Sequence, residues 1–186
     1  MTTTIDAIRA EYVRYKTLGE AAIAQLSDDE LSKAPPNGNS VATICWHLSG
    51  NFRSRFTDFL TTDGEKPWRR REEEFEPRHV SRAELLAKWE QGWDVLLDSL
   101  AGLNDEHLRT TVTIRRQPLQ VNEALLRSLA HASYHVGQIV YAAKSMRSGE
   151  WKFLSIPPGQ SDSYNFNPAG EKPADHAQAL KGGRLG

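Results

Sequence analysis

The chain has 186 residues and a formal net charge of −1, which suits one domain of moderate size with a buried core. No half of it is strongly basic, so nothing predicts binding to nucleic acid, and no apolar run is long enough to span a membrane. The single cysteine, Cys45, excludes an internal disulfide. Because the start of the chain also lacks the pattern of a signal peptide, we expect a cytoplasmic protein.

Apolar residues recur at steps of three and four in the first third of the chain, which predicts two amphipathic helices. The first helix runs from about Thr4 to near Ser27, and the second begins at the capping residue Ser40 and runs to about Phe59. Between them, the turn-forming residues of 34–39 predict a loop.

A long connection, 62–80, follows the second helix and suggests a crossover along a helical bundle instead of a tight hairpin. Within it, three arginines (69–71) directly precede three glutamates (72–74). The two charge runs largely cancel, which predicts a solvated loop. Ser81 and Glu84 form a capping-box pattern that begins the third helix, and Gly102 ends it.

The hydrophobic period changes before the last helix. The β-branched run 110–114 predicts a short strand, or a small hairpin with 119–121, and the fourth helix follows over about 122–146. Four helices with one long crossover predict an all-α fold, a four-helix bundle with a short β strand or hairpin before the last helix.

The bundle is expected to occupy 1–165 as a single domain. The remainder, 166–186, is polar and predicts an extended tail whose end, 181–184, is mobile.

Three histidines fall on the predicted helices in a pattern that suits a metal ion. His131 and His135 lie four residues apart on the fourth helix and therefore share one face, while His47 lies on the second helix. If these helices pack together, three imidazole nitrogens converge on one divalent ion and leave a coordination position open. An open position is typical of a reactive site, because structural zinc sites usually have four protein ligands and favour cysteine.

Polar residues lie one turn after the predicted ligands. Asn51 follows His47 and Gln138 follows His135, so each could hydrogen-bond a bound ligand or an imidazole, and we assign both as candidate cofactor-binding residues. Helical histidines often merely pack beside a core, and spacing alone leaves that alternative open. No residue is assigned a catalytic role.

Two known metal motifs are excluded. Ala132 follows His131, so the glutamate of the His-Glu-x-x-His metalloproteases is missing. Dimetal carboxylate bundles need repeated Glu-x-x-His on helices, but the one such spacing, 76–79, contains a proline and lies in a predicted loop. Cys45 is two residues from His47 and points to the other side of the helix, which predicts a buried small hydrophobe.

Three segments of the chain, 45–52, 131–140 and 156–165, resemble the DinB-like superfamily of bundle proteins with a metal site. The last two are similar to a branch of unknown function. The resemblance extends to about Asn165 and implies an up-down-down-up four-helix bundle, a homodimer, and zinc or nickel on the same three histidines. Three imidazoles alone suit zinc, nickel, copper and iron alike.

Some members of that superfamily are transferases or isomerases that use bacillithiol, mycothiol or glutathione. The resemblance therefore implies a metal-dependent transferase that acts on small electrophiles, with a low-molecular-weight thiol as cofactor. A metal on three imidazoles can lower the pKa of a thiol or water, and no obvious carboxylate base stands next to the ligands. The alternatives are a metal-dependent hydrolase and a non-catalytic metal-binding stress or interaction protein.

Overall fold

The computed structural model describes residues 2–168 and 170–182, which are mostly helical. The described α-helices are α1 Thr4–Ile23, α2 Asp28–Ser32, α3 Val41–Phe56, α4 Arg82–Ala101, α5 Val121–Met146, α6 Ser161–Phe166 and α7 Pro173–Lys181. Two short 3-10 helices, Glu72–Phe75 and Asp105–Arg109, and two antiparallel strands, β1 Thr111–Ile114 and β2 Gln117–Gln120, complete the described elements. None of the helices in these two ranges is long and apolar enough to cross a lipid bilayer.

Hydroxyl side chains begin most of the helices in the first half of the chain. Thr3, Ser27, Ser40 and Ser81 each accept a hydrogen bond from the backbone N–H three residues later, a cap worth about 1 kcal/mol. α1 ends at Ile23, near the predicted end of the first helix, and the cap at Ser27 begins a short helix, α2, that the sequence does not predict. The predicted third helix is α4, with the cap and the terminal glycine where the sequence predicts them.

The four long helices, α1, α3, α4 and α5, share one hydrophobic core. α3 packs against α4 and α5, and α1 packs against α5 and α4. Trp93 lies at the centre, with its ring 4.8 Å from that of Phe52 and 6.3 Å from that of Tyr12. Cys45 is fully buried in the same core, where desolvation raises the pKa of its thiol far above the usual range, so it is a packed hydrophobe as predicted.

The predicted hairpin is confirmed, with a tighter turn than the sequence suggests. Arg115 and Arg116 alone form the turn, with φ of 53° and 62°, while Gln117 and Pro118 already belong to β2. Two successive positive φ values match the twist of the flanking strands. The carboxylate of Asp63 accepts hydrogen bonds from the backbone N–H groups of Arg115 (2.8 Å) and Arg116 (2.7 Å), which fixes the turn to the long connection.

The charge block of the long connection is not a solvated loop throughout, and that prediction is wrong for two of its residues. The side chains of Arg69 and Glu74 are only 2% and 9% exposed, and they pair with each other. The reason is the 3-10 helix Glu72–Phe75, which turns Glu74 towards α3 and leaves the neighbouring charges outside.

The predicted extended tail contains the helix α7 and the last residue of α6. α7 packs against α1 and buries Ala177 and Ala179, and it begins with Pro173, a residue that suits the first turn of a helix. Pattern analysis misses α7 because a short alanine-rich face carries little hydrophobic signal. Of the segment 181–184 that is predicted to be mobile, residues 183 and 184 lie outside the described residues.

Candidate metal centre

The side chains of His47 on α3 and of His131 and His135 on α5 converge, as the sequence predicts. Nε2 of His131 lies 3.2 Å from Nε2 of His47 and 3.1 Å from Nε2 of His135. One nitrogen from each residue lies within 4.8 Å of the others, so the cluster could hold a metal ion. The four-residue spacing aligns two of the ligands, and the packing of α3 on α5 supplies the third.

Oxygen acceptors fix the outer nitrogens of two imidazoles. Glu74 Oε2 lies 2.9 Å from His47 Nδ1, and Gln138 Oε1 lies 2.7 Å from His135 Nδ1. The amide nitrogen of Gln138 donates to Tyr134 Oη at 3.0 Å, which leaves its oxygen to accept from His135. These acceptors favour the tautomer that has its proton on Nδ1 and a lone pair at Nε2, the form that binds a metal.

Two of the three separations between the inner nitrogens are close to those expected around a single ion. Bonds of about 2.0–2.1 Å in a tetrahedral zinc site give nitrogen–nitrogen edges of about 3.3–3.4 Å, close to the separations of 3.1 and 3.2 Å found here. Without an ion, the lone pairs of His47 and His135 face the one proton that His131 Nε2 can carry. A bound ion would instead accept a lone pair from each of the three nitrogens.

Two of the three imidazoles are strongly biased to the neutral form that metal binding requires. Burial, followed by the charges of the neighbouring histidines, lowers the pKa of His131 to about 3. Burial and the charge of His47 lower the pKa of His135 to about 4. Near neutral pH, protons therefore compete little with a metal for these nitrogens.

Glu74 is the site residue that sequence analysis misses. Its carboxylate accepts two hydrogen bonds from Arg69, at 2.8 and 2.9 Å, besides the bond from His47. Burial raises the pKa of Glu74, but the bonds from Arg69 and His47 outweigh it and hold the pKa below its usual value. A Cβ on Gly50 would collide with this carboxylate, so the glycine allows its approach to α3.

The expectation that no carboxylate stands next to the ligands is therefore wrong for Glu74, although this residue is not a free base. Both of its oxygens are occupied by Arg69 and His47. No sequence signal distinguishes it from Glu72 and Glu73, because three adjacent glutamates are equivalent until the backbone turn is known.

An open cavity of about 420 Å³ lies beside the three histidines, which form part of its wall. Its other lining side chains are mainly arginine and aromatic, and among the described residues no aspartate or glutamate lines it. Asn51 and Gln138 both lie on this wall. Gln138 orients His135, while a direct role of either residue in cofactor binding stays a prediction.

The chain matches a family model described as a protein of unknown function, DUF1572, over residues 1–160. No curated protein and no solved structure was found to match it. The matched region covers most of the chain and includes the three histidines, Glu74 and Gln138. The chain therefore belongs to the DUF1572 family, whose function is not established.

Proposed function

We propose that this protein is a metal-dependent transferase that activates a low-molecular-weight thiol for attack on small electrophiles. The observation that carries the proposal is the convergence of three imidazoles on the wall of an open cavity. Three protein ligands leave a position for an exogenous group, whereas structural zinc sites are closed by a fourth. When bound, a divalent ion supplies Lewis acidity that lowers the pKa of a thiol or water at that position.

A thiol suits this cavity better than water as the nucleophile. The nearest carboxylate, Glu74, is occupied by Arg69 and His47, so the described cavity wall offers no carboxylate base to take a proton from water. A thiol has a usual pKa near 8.5 and needs only a small shift to ionise at neutral pH. The thiol must come from outside the chain, because Cys45 is fully buried.

The protein side chains orient and shield the ligands. The carboxylate of Glu74 holds the ring of His47, and the oxygen of Gln138 holds the ring of His135. The ring of Phe75 lies 4.7 Å from that of His47 and covers it from the side of the long connection. These contacts keep the inner nitrogens in place for metal binding.

We also propose kinship with the DinB-like superfamily, with the long helices in up-down-down-up order and the chain as a cytoplasmic homodimer. The three similar segments and the shared core of the four long helices support this kinship. Zinc and nickel are the ions expected within it, and three imidazoles suit both.

Metal analysis of protein purified without a histidine tag tests the site. We expect about one zinc or nickel ion per chain, and loss of that metal in His47→Ala, His131→Ala and His135→Ala. His79→Ala is the matched control, because the side chain of His79 is 76% exposed in the long connection and should leave the metal content unchanged. Unchanged metal content in all three ligand variants would show that the site is wrong.

Turnover assays test the chemistry that the metal-loaded protein performs. A panel of electrophiles is incubated with and without glutathione, bacillithiol or mycothiol, and we expect turnover that requires both the thiol and His135. Hydrolysis without a thiol would contradict the transferase and support the hydrolase. Bound metal without turnover of any electrophile would support the non-catalytic metal-binding protein.

A further inference from the structure

The cavity beside the three histidines has more positive than negative charge around it. The arginines that line it are Arg55, Arg69, Arg71, Arg115 and Arg127. The carboxylates that pair with them are Glu65, Glu72 and Glu74. Five guanidinium groups thus face three carboxylates, and two positive charges are left over. A concave surface with such an excess attracts anions.

Part of this excess lies at the hairpin side of the cavity. Glu65 Oε2 lies 2.9 Å from Arg115 Nε and 3.2 Å from Arg55 Nη1, so one carboxylate serves two guanidinium groups. Burial lowers the pKa of Arg55 below its usual value, which agrees with a cation that the protein compensates only in part. An anionic ligand in the cavity would neutralise the positive charge that Glu65 leaves uncompensated.

Arg115 is positioned before any ligand arrives. Asp63 binds the backbone N–H groups of the hairpin turn, and Glu65 accepts from the Arg115 side chain. A guanidinium held in this way loses little conformational entropy when it binds a ligand.

Arg127 lines the same cavity from α5, the helix that carries two of the three histidines. It precedes His131 by four residues, so the two side chains share one face of α5, and both line the cavity. A molecule bound to Arg127 therefore lies near the inner nitrogens.

We propose that the cavity binds a small electrophile that carries an oxyanion group, either a carboxylate or a phosphate. Arg115 and Arg127 donate hydrogen bonds to this group, because the planar guanidinium matches such oxygens. Phe56, Phe59 and Ile114 line the same cavity and cover the apolar part of the molecule. The cavity volume of about 420 Å³ falls within the range of small-molecule sites. That the bound molecule is an electrophile rests on the proposed function, whereas anion binding by these arginines does not require the metal.

Titration calorimetry with succinate and with inorganic phosphate tests the anion site on zinc-loaded and on metal-free protein. We expect at least one of the two anions to bind both forms, and the anion that binds identifies the oxyanion. Arg115→Gln and Arg127→Gln should each weaken binding about tenfold, the usual loss for a charge-assisted hydrogen bond. Arg116→Gln is the matched control, because Arg116 lies in the same turn and does not line the cavity.

Two outcomes would overturn the anion site. One is that neither anion binds, and the other is that Arg116→Gln weakens binding as much as Arg115→Gln does. Anion binding by metal-free protein, together with no thiol-dependent turnover, would leave the anion site standing and remove the transferase. Thiol-dependent turnover of neutral electrophiles alone, without anion binding, would support the transferase and remove the anion site.

Discussion

The hydrogen bond at each outer nitrogen decides what the inner nitrogen of a histidine can do. Glu74 and Gln138 accept hydrogen bonds from Nδ1 of His47 and of His135, which leaves the Nε2 lone pair of each ring able to bind a metal. The amide of Gln138 brings only an acceptor to the site, whereas the carboxylate of Glu74 brings a negative charge as well as an acceptor. Its approach to α3 depends on a position without a side chain, Gly50.

Gly50→Ala should therefore weaken metal binding although it changes no ligand. The new Cβ would displace the carboxylate of Glu74 from His47, and loss of such a supporting partner typically costs about 10-fold to 100-fold in affinity. Competition with a chromophoric chelator measures the zinc affinity of the folded variant.

Gly137→Ala is the control for this glycine substitution. It lies on α5 two residues after His135, and apart from its neighbours on the helix a Cβ there would meet no atom of the described residues within 4 Å. We expect an unchanged zinc affinity. We also expect the free energy of unfolding to rise by about 0.8–1 kcal/mol, because alanine has a higher helix propensity than glycine. Glu74→Gln, which removes the charge and keeps Gly50, should weaken zinc binding like Gly50→Ala. Wild-type affinity in Glu74→Gln would limit the role of Glu74 to pairing with Arg69.

Elements whose ends are marked by residues in their own sequence follow the prediction closely. Elements whose conformation depends on contacts with distant parts of the chain do not. α4 lies between a capping box and Gly102, and the strand β1 lies in a β-branched run, so both are predicted almost to the residue. α3 ends at Phe56, earlier than predicted, because Asp58 adopts a positive φ of 49°. The inward turn of Glu74 depends on α3 and Arg69, which a local pattern does not contain.

The contact between the hairpin and the long connection is expected to depend on pH through Asp63. Hydrogen bonds from the backbone N–H groups of Glu65 and Arg116 lower the pKa of Asp63 from 3.8 to about 2. A carboxylate with a depressed pKa stabilises the fold above its unfolded pKa and loses this effect as the pH falls towards its folded pKa. Wild-type protein should therefore have a higher Tm than Asp63→Asn above about pH 4, and the difference should shrink towards pH 2.

Calorimetry of both proteins across this range measures that difference, and subtraction removes the contributions of the other carboxylates. A difference in Tm that stays constant from pH 5 to about pH 2 would mean that Asp63 acts only through its shape. If the wild type and Asp63→Asn lose the same stability at acid pH, the pH-sensitive contact does not involve Asp63.

In the whole molecule, the candidate site lies where two distant parts of the chain meet. α3 and α5 both belong to the shared core, and between them the chain forms the long connection, α4 and the hairpin. α7 packs on α1, and no residue of α7 lines the cavity. One ion at the three histidines would therefore cross-link α3 and α5, two helices that are far apart along the chain.

Such a cross-link should make thermal stability depend on metal concentration. An ion that binds the folded chain and not the unfolded one stabilises it by about 2.7 kcal/mol at one hundred times its Kd. For a chain of this size, that free energy corresponds to a rise in Tm of roughly 5–10 °C. Calorimetry of chelator-treated protein with stepwise zinc should show Tm rising with the logarithm of zinc concentration. His135→Ala should show a flat response, because it removes one of the three donor nitrogens. A Tm of the wild-type protein that is independent of zinc would contradict a metal site between α3 and α5.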